Sequence, residues 1–459
     1  MRIAYLTAGA AGMYCGSCLH DNTLARELRA LGHDCLLIPL YTPVRTDEPD
    51  ASISEVFFGG LSIYLEQKYP WFRRMPEALD RILSRPSLLR LLSGLAISSD
   101  ARDLGSLTLS MLRGRRGYQA LEIERLCRWL RGHFQPDVIC LSNSLLSGLI
   151  ESLHEQFRVP VVVFLQGEDL FLDALPDDAK RQACQLLQLN LSGAAGFIAP
   201  CEDYANYMSR YLQIPRDRMR VVYPGVHIQD LLRRMEPDAR RADDSRQEHD
   251  PAARLRIGYL ARIGPEKGLH VLIEACSLLR QMTEVPAWEL SVAGYLPPSQ
   301  RDYLQELCQR VQSEGWDDRL QFVGEVDRRG KVRFLHRLDV FSVPATYREP
   351  KGLYVFEAWA AGVPVVQPEH GIFAEVVPAA QAGLLVQPNS ASALAAGLAK
   401  MLCDAHWRRQ AGQNGRAFAA ATGHAQRMAQ DTLQALGYFL GSSLAASSST
   451  GWGLRPANP

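Results

Sequence analysis

The sequence lacks an excess of charge of either sign, because 50 lysines and arginines balance 50 acidic residues in a chain of 459. A dedicated nucleic-acid binder carries a basic excess, and a disordered chain combines high net charge with few apolar residues, so both classes are excluded. No uninterrupted apolar run approaches the roughly 20 residues of a transmembrane helix. The apolar stretch after Met1 is too short for a signal peptide, so we expect a cytoplasmic protein. With 47% hydrophobic residues, the chain has the composition of a folded protein of two or three domains.

Disulfide and metal frameworks also have little support. The ten cysteines are scattered, and reduced, buried thiols are the favoured interpretation where no export signal is expected. Only Cys15 and Cys18 have the CxxC spacing, and a structural zinc site would need two further ligands. We therefore expect no metal, and keep metal or redox chemistry at this pair as the less favoured alternative.

What the sequence does contain is a regular alternation of short apolar stretches and helical patterns. This is typical of parallel sheets whose two faces are covered by helices. The predicted strands are residues 2–7, 35–40, 137–141, 160–165, 196–199 and 220–223, then 256–260, 289–293, 320–323, 340–343 and 363–366. The fold class is therefore α/β, with two Rossmann-like domains.

Polar stretches give the predicted domain boundaries. Residues 236–251 are polar and charged, which indicates a surface connection. The predicted organisation is an N-terminal domain over 1–230, a polar linker over 231–254, a C-terminal domain over 255–424, a C-terminal helix over 425–441 and a disordered tail over 442–459. Whether that helix crosses back to the first domain is left open.

A helical, basic insertion interrupts the first domain at about residues 61–134. It contains 13 lysines and arginines against 7 acidic residues. The favoured interpretation is an amphipathic helical layer with a solvated basic face. The alternative is a surface for an anionic partner, such as the inner face of a membrane that the protein would bind peripherally.

Loops that leave the strands are where ligands of such sheets bind. Arg262 and Lys267 follow the strand that ends near Leu260, and Gly268 opens the next helix. Arginine grips phosphate with two parallel hydrogen bonds, lysine acts as a point charge, and the helix N-terminus adds partial positive charge. Together they predict a pyrophosphate site, although two surface cations paired with ordinary acids would look the same.

A second loop carries Glu349 and Gly352 before a helix that contains Glu357. Pro350 keeps Glu349 in the loop, and Gly352 permits close backbone approach at the helix start. The arrangement offers backbone donors for phosphate and carboxylate acceptors for sugar hydroxyls. Two acids at this spacing are common, so the order of elements is the informative part. The N-terminal glycine loop, residues 9–16, would approach the same pyrophosphate from the opposite domain.

Taken together, these segments resemble glycosyltransferase family 4. The resemblance covers about residues 1–435, apart from the insertion. The matching segments are Gly16, Leu31-Gly32-His33-Asp34, Tyr223-Pro224-Gly225-Val226, Arg262 with Lys267-Gly268, Glu349-Pro350-Lys351-Gly352 with Glu357, and Ala361-Gly362-Val363-Pro364. The resemblance implies the GT-B architecture, in which two Rossmann-like domains face each other across a cleft. It also implies a retaining, metal-independent transfer of a sugar, a hexose in our expectation, from a nucleotide-diphosphate sugar.

The resemblance also implies residue roles. Arg262 and Lys267 would hold the diphosphate and stabilise the charge on the leaving group. Glu349 would lie by the donor sugar and act with them in catalysis. The remaining donor-binding residues would be Gly16 at the diphosphate, Gly352 and Leu353 through their amides, and Glu357 at the ribose hydroxyls. No permanently bound cofactor is implied, the acceptor would be a hydroxyl of a saccharide or lipid, and no oligomeric state is indicated.

Two departures from the family pattern concern the site. Many relatives carry an apolar residue where Lys351 stands, and this lysine would either add a phosphate contact or point to solvent. Many relatives also carry a histidine where Gln166 stands, on the acceptor side. Glutamine is neither an acid nor a base, so proton transfer would fall to Glu168, Asp169, His20 or the donor phosphate. Two alternatives stay open. One is another GT-B enzyme, either a sugar phosphorylase or a nucleotide-sugar epimerase; the other is a non-catalytic nucleotide-sugar binding protein.

Overall fold

A computed structural model describes residues 1–9, 15–58, 101–233 and 254–448. Within these ranges the strands form two six-stranded sheets whose strands all run parallel. The first sheet has the order β2-β1-β3-β4-β5-β6, and the second has the order β12-β11-β10-β7-β8-β9. The strand order changes direction beside β1 in the first sheet and beside β7 in the second. A ligand crevice forms at such a point in parallel sheets.

The first sheet consists of short strands that lie in the hydrophobic core. Its strands are β1 (Arg2–Thr7), β2 (Asp34–Pro39), β3 (Val138–Leu141), β4 (Val161–Phe164), β5 (Gly196–Ala199) and β6 (Met219–Val221). Every residue of β3, β4 and β5 is buried. Helices cover both faces of a parallel sheet, which is why these strands are continuous apolar runs rather than alternating patterns.

The second sheet follows the same plan. Its strands are β7 (Leu255–Leu260), β8 (Trp288–Ala293), β9 (Leu320–Gly324), β10 (Val340–Phe341), β11 (Val365–Pro368) and β12 (Gly383–Val386). The edge strand β12 was not predicted, and all four of its residues are only partly buried. Its residues Leu384, Leu385 and Val386 form an apolar run like those of the predicted strands, so the sequence did carry a signal for it.

Sixteen α-helices lie in the described ranges. They are α1 (Gly16–Ala30), α2 (Ala101–Leu112), α3 (Ala120–His133), α4 (Ile150–Phe157), α5 (Asp169–Asp173), α6 (Asp177–Leu191), α7 (Glu202–Leu212), α8 (Gln229–Leu232), α9 (Leu269–Leu279), α10 (Arg301–Ser313), α11 (Arg328–Leu335), α12 (Leu353–Ala360), α13 (Ile372–Ala380), α14 (Ala391–Cys403), α15 (Ala405–Ala421) and α16 (Ala425–Ser448). None of these helices is both long and apolar enough to cross a membrane.

The last helix, α16, packs on the first sheet. The Phe439 ring fills the space where a side chain at Gly196 of β5 would lie, and Met428 and Leu436 share a core with Leu24 of α1. The chain thus returns to its N-terminal half. The helix also continues to Ser448, so the predicted disorder is wrong for residues 442–448. Alanines follow the predicted end, and their high helix propensity favours continuation. The rest of the tail, residues 449–459, lies outside the described residues.

About half of the predicted insertion can be compared with the structure. Residues 101–134 form α2 and α3, while residues 61–100 lie outside the described ranges. Helix α3 is amphipathic, with Ile123, Leu126 and Leu130 buried and Arg128 and Arg131 exposed. The predicted linker, 231–254, lies largely outside the description as well, since residues 234–253 are not covered.

Candidate functional site

The loop after β7 carries the two predicted phosphate-binding cations. Gly268 has a φ of +71° where it begins α9, and a Cβ there would lie 1.9 Å from the Pro344 carbonyl oxygen. Only glycine fits this turn without strain or collision. Arg262 pairs with Glu266 at 2.5 Å, and about a third of the Arg262 side chain is exposed. The turn therefore holds Arg262 beside the helix N-terminus with its guanidinium open to solvent.

Lys267 is paired with the predicted catalytic carboxylate. Its Nζ lies 2.5 Å from Glu349 Oε2 and 2.5 Å from the Tyr347 hydroxyl. Tyr347 and Tyr354 also donate hydrogen bonds to Glu349, at 2.7 and 3.2 Å. The Lys267 side chain is 16% exposed. The sequence did not indicate this ion pair, because the two residues are distant in the chain.

Glu349 is almost fully buried yet ionised. Its Oε1 accepts hydrogen bonds from the backbone N–H groups of Lys351 and Gly352, both at 3.3 Å. Burial alone would raise its pKa, but the charge of Lys267 and these hydrogen bonds lower it to about 2. A carboxyl group with this pKa is a fixed negative charge at neutral pH, so it cannot donate a proton in a reaction.

Glu357, the predicted ribose ligand, lies in a charged cluster on α12. It is 3% exposed, and its Oε1 accepts from Lys331 Nζ at 2.8 Å and from Arg328 at 3.3 Å. Lys331 also pairs with Asp47 of the first domain at 2.7 Å. Arg328 binds both oxygens of Asp230 at 2.7 Å. These partners were missed, and an Arg-x-x-Lys pair in the first turn of α11 was the available signal.

Gly16, the last residue of the N-terminal glycine loop, lies against the second domain, while residues 10–14 of that loop lie outside the described ranges. A Cβ on Gly16 would lie 4.0 Å from the Leu353 side chain, so these two predicted donor-binding residues face each other across the cleft. Gly352 has a φ of +52° and lies directly before α12, packed against Phe373. Gly16, Gly352 and Leu353 are therefore adjacent, and their contact with a diphosphate stays a prediction.

The two departures from the family pattern meet at this contact. Lys351 is 6% exposed, and its Nζ donates to the Gln166 side-chain oxygen at 3.0 Å, the Gln166 carbonyl at 3.0 Å and Ser17 Oγ at 2.7 Å. The Gln166 amide nitrogen in turn donates to buried Asp21 at 2.7 Å. A chain of hydrogen bonds thus joins Asp21 in α1 to Lys351 in the second domain.

Two acceptor-side candidates are held by their own domain. Glu168 accepts from the backbone N–H groups of Ser144 at 3.0 Å and Gln166 at 2.7 Å, which makes it a loop-fixing residue. His20 is buried, with Nδ1 3.2 Å from an Asp21 oxygen. Both residues lie beside the chain of hydrogen bonds from Asp21 to Lys351. Their side-chain contacts within the first domain leave neither group open to a bound acceptor.

Asp169 is the acceptor-side candidate with a clearly altered pKa. Burial raises its pKa to about 6, although the hydrogen bond from the Tyr204 hydroxyl, at 2.6 Å, opposes the shift. A carboxyl group with a pKa near neutrality is suited to proton transfer. Its exposed fraction is 5%, so access would require an acceptor bound close to α5.

Glu375, in the second domain, caps the N-terminus of helix α7 in the first domain. Its carboxylate accepts from the backbone N–H groups of Glu202 at 3.1 Å and Asp203 at 2.5 Å, at the start of α7. The Tyr223 hydroxyl donates to it at 2.7 Å, and Arg348 pairs with Asp203 at 2.5 Å. A carboxylate at a helix N-terminus is stabilised by the backbone dipoles. These contacts hold the two domains together beside the cleft.

Metal ligands do not converge in this region. Within residues 1–9, 15–58, 101–233 and 254–448, no group of three or more histidine, cysteine, aspartate or glutamate side chains is arranged to hold a metal ion.

Comparison with known proteins places the chain among glycosyltransferases. A model of the glycosyl transferase 4-like domain matches residues 22–225, and a model of glycosyl transferases group 1 matches residues 241–418. Over 148 residues the chain is 35% identical to a glycogen synthase of Mycobacterium tuberculosis, covering 32% of this chain and 33% of that protein. Over 259 residues it is 27% identical to a D-inositol 3-phosphate glycosyltransferase of Jonesia denitrificans, covering 56% of this chain and 59% of that protein. The chain thus spans about one third to three fifths of these curated relatives.

Solved structures agree on the fold. Sucrose-phosphate synthase from Thermosynechococcus elongatus superposes with a TM-score of 0.69 at 19% identity, covering 96% of this chain and all of that one. Anabaena HepE, solved with UDP and glucose, superposes with a TM-score of 0.65 at 19% identity, covering 95% of this chain and all of that one. The GT-B fold is defined by two parallel sheets that face each other across a cleft and by a last helix that packs back on the first sheet. The chain belongs to the glycosyltransferases of this fold, in the family-4-like group.

Proposed function

We propose that the protein transfers a hexose from a nucleotide-diphosphate sugar to a hydroxyl of a saccharide or lipid acceptor, with retention at the anomeric carbon. The observation that carries the proposal is the site at the start of α9 and α12. There, Arg262 pairs with Glu266, Lys267 pairs with Glu349, Glu349 accepts from the Gly352 amide, and Gly16 of the other domain lies next to Leu353. Two helix N-termini and two cations suit a diphosphate.

Catalysis in this proposal is electrostatic. The diphosphate takes the place of Glu266 at Arg262 and shares Lys267 with Glu349, so both cations stabilise the negative charge that grows on the leaving group. Because Glu349 stays ionised, its carboxylate orients Lys267 and the sugar and donates no proton. Closure of the two domains excludes water from the reacting atoms.

A structurally similar protein supports a nucleoside diphosphate sugar as the donor. HepE is solved with UDP-glucose, which is a nucleoside diphosphate sugar, although at 18% identity the likeness concerns the fold. In this chain, Glu357 is the carboxylate that we assign to the ribose hydroxyls. The acceptor would enter on the side of Gln166 and Asp169, and either Asp169 or a donor phosphate oxygen would take its proton.

Calorimetric titration with UDP, GDP and ADP tests donor binding, and incubation with the matching sugar nucleotides and simple acceptors tests transfer. A bound donor should also raise the melting temperature by mass action. Lys267→Ala should cost about 2–4 kcal/mol of transition-state stabilisation, which is a loss of about 30- to 1,000-fold in kcat/KM. Exposed Lys400 on α14 provides the matched control, Lys400→Ala.

The same incubations distinguish the alternative functions from sugar transfer. Donor turnover without an acceptor indicates an epimerase, a requirement for free phosphate indicates a phosphorylase, and nucleotide binding without turnover indicates a binding protein. A product whose anomeric configuration, read from proton NMR coupling constants, is opposite to that of the donor contradicts the retaining mechanism.

We also propose that the basic insertion contacts an anionic membrane surface. Its described part exposes Arg113, Arg116, Arg128 and Arg131, and 65% of Leu121 is exposed in the same region. Basic side chains and a protruding apolar residue suit an anionic lipid interface. Co-sedimentation with phosphatidylglycerol-containing vesicles, but not with pure phosphatidylcholine vesicles, is expected, and Arg128→Glu/Arg131→Glu should reduce it. Equal sedimentation with both vesicle types would contradict this proposal.

A further inference from the structure

Two cysteines lie at the start of α1, beside the contact between the domains. Cys15 is the residue directly before the helix and has an extended backbone, with φ −132° and ψ 132°, while Cys18 lies in the first turn. Side chains three residues apart at a helix start lie on the same face. Both thiols are free, and the Cys18 thiol hydrogen-bonds to Cys15. The spacing noted in the sequence thus places the two thiol side chains next to each other at the helix start.

The two thiols have different environments. Cys15 is partly exposed, whereas Cys18 is 2% exposed and packs in the core below the first sheet. The hydrogen bond from Cys18 and the charge of Lys351 lower the pKa of the Cys15 thiol well below its usual range, against the effect of burial. Hydrogen bonding to Cys15, burial and the charge of nearby Asp21 raise the pKa of Cys18.

This asymmetry is what a dithiol needs for exchange with a disulfide. The attacking group must be a thiolate that a reagent can reach, and the resolving thiol can be buried next to it. A zinc site is a poor alternative, since no third ligand converges with the pair in the described part of the chain.

We propose that Cys15 and Cys18 form a thiol–disulfide exchange site, in which Cys15 attacks and Cys18 resolves. The Cys15 thiolate attacks one sulfur of a small-molecule or protein disulfide, forms a mixed disulfide and releases one thiolate, which takes up a proton. Cys18 then loses its proton and attacks the Cys15 sulfur, which releases the second thiol and leaves the Cys15–Cys18 disulfide. The two protein thiols are oxidised, and one external disulfide is reduced to two thiols.

The exchange site is coupled to the domain contact through Ser17. Ser17 lies between the two cysteines and accepts the 2.7 Å hydrogen bond from Lys351. Gly16, the other intervening residue, packs toward Leu353 at the donor side. Closing a disulfide across these residues changes the backbone that presents both of them. Oxidation should therefore weaken the hydrogen bond between Lys351 and Ser17. Loss of transfer activity on oxidation would follow from that change, and this consequence alone rests on the proposed function.

The first experiment measures thiol reactivity in the full chain. Pulse alkylation with iodoacetamide at pH 6.5, followed by peptide mass spectrometry, compares Cys15 with exposed Cys403. An ordinary thiol with a pKa of about 8.5 is about 1% ionised at this pH, so a thiol with a lowered pKa carries a larger thiolate fraction, with a ceiling of about a hundredfold more. Lower intrinsic nucleophilicity offsets part of that advantage, and alkylation of Cys15 about tenfold faster than Cys403 is expected.

The second experiment equilibrates the protein with mixtures of reduced and oxidised glutathione. The peptide that contains both cysteines should lose two hydrogens, which marks the internal disulfide, and should regain them on reduction. Cys18→Ser should stop at the mixed disulfide on Cys15, and Cys15→Ser should not react. Lys351→Met should slow alkylation of Cys15 several-fold and leave Cys403 unchanged.

Several results would overturn the proposal. These are alkylation of Cys15 no faster than Cys403, absence of the internal disulfide at every ratio, or a mixed disulfide on Cys18 in the Cys15→Ser variant. None of these readouts uses transfer activity. Their outcome is therefore separable from that of the proposed function, and loss of activity on oxidation is read only after the disulfide has been shown.

Discussion

The Lys267–Glu349 pair offers a sharp test of the site, because the structure gives both its geometry and its energetic direction. The perturbation is a double-mutant cycle of Lys267→Met, Glu349→Gln and the double variant. Both side chains are largely buried and lie 2.5 Å apart. Removing either one leaves the other as an uncompensated charge, whereas removing both leaves none.

The pKa of Glu349 sets the magnitude. Its ordinary pKa is 4.5 and its value in the fold is about 2. A difference of about 2.5 units corresponds to about 3 kcal/mol at 1.36 kcal/mol per unit. Because the pKa in the fold is the lower one, this stability is fully present above pH 4.5 and is lost as the pH falls toward 2. Glu349→Gln should remove it at pH 7.

The expected pattern is strongly non-additive. Each single variant should lose about 3 kcal/mol of unfolding free energy, and the double variant should lie within about 2 kcal/mol of the unmodified protein. Urea titrations followed by tryptophan fluorescence report the second domain through buried Trp288, Trp316 and Trp359, with Trp129→Phe as the background that reduces the signal of the first domain. Two single losses that simply add in the double variant would refute a direct ionic coupling.

An exposed ion pair in the same chain supplies the control. Arg427 and Asp431 are four residues apart on α16, lie 2.7 Å from each other and are substantially exposed. Their cycle should give a coupling of about 0.5 kcal/mol, as exposed pairs on helices do. All three Lys267–Glu349 variants should lose at least about 30-fold in kcat/KM, so recovery of stability without recovery of activity in the double variant separates folding from catalysis.

Four further predictions follow from individual contacts. Glu357→Gln should weaken binding of the cognate nucleoside diphosphate about tenfold or more in calorimetry, because hydrogen bonds to a charged group contribute about 1.5–3 kcal/mol; unchanged binding would remove Glu357 from the ribose site. Gly268→Ala should lower the melting temperature, because its Cβ would collide with the Pro344 carbonyl; an unchanged value would contradict the geometry. Lys351→Met should lower kcat without lowering stability, since burial lowers the pKa of this lysine and therefore disfavours its charged form; equal losses of both would point to a structural role. If Asp169 accepts the proton, kcat/KM should rise with pH through about 6, and Asp169→Asn should abolish that limb of the profile.

Much of the fold could be predicted because its signals are local. Parallel strands buried on both faces appear as short apolar runs, and glycine marks turns that require positive φ, as at Gly268 and Gly352. Strand β5 has the predicted ends, residues 196 and 199. The edge strand β12 was missed although its Leu384, Leu385 and Val386 are apolar, and α16 was cut short because a Ser- and Ala-rich stretch resembles a disordered tail in composition.

The partners of the site residues could not be predicted, because they come from distant parts of the chain. Nothing local links Lys331 to Asp47, or Glu375 to the first turn of α7. Each of these contacts exists only once two domains have folded and met. Sequence patterns identify which residues have useful chemistry, but the charge that each one faces is decided by tertiary structure.

The pairing of the site cations also gives Lys351 a distinct position. Arg262 and Lys267 each face a carboxylate, Glu266 and Glu349, so these four side chains together carry no net charge. Lys351 instead donates to the neutral groups of Ser17 and Gln166. A diphosphate bound as proposed would take the place of Glu266 at Arg262 and share Lys267 with Glu349, while Lys351 would offer its charge without a carboxylate among its hydrogen-bond partners. Low-dielectric surroundings strengthen the electric field of such a charge. A stronger field at the donor site would offset the unfavourable free energy of burying a lysine at the domain contact.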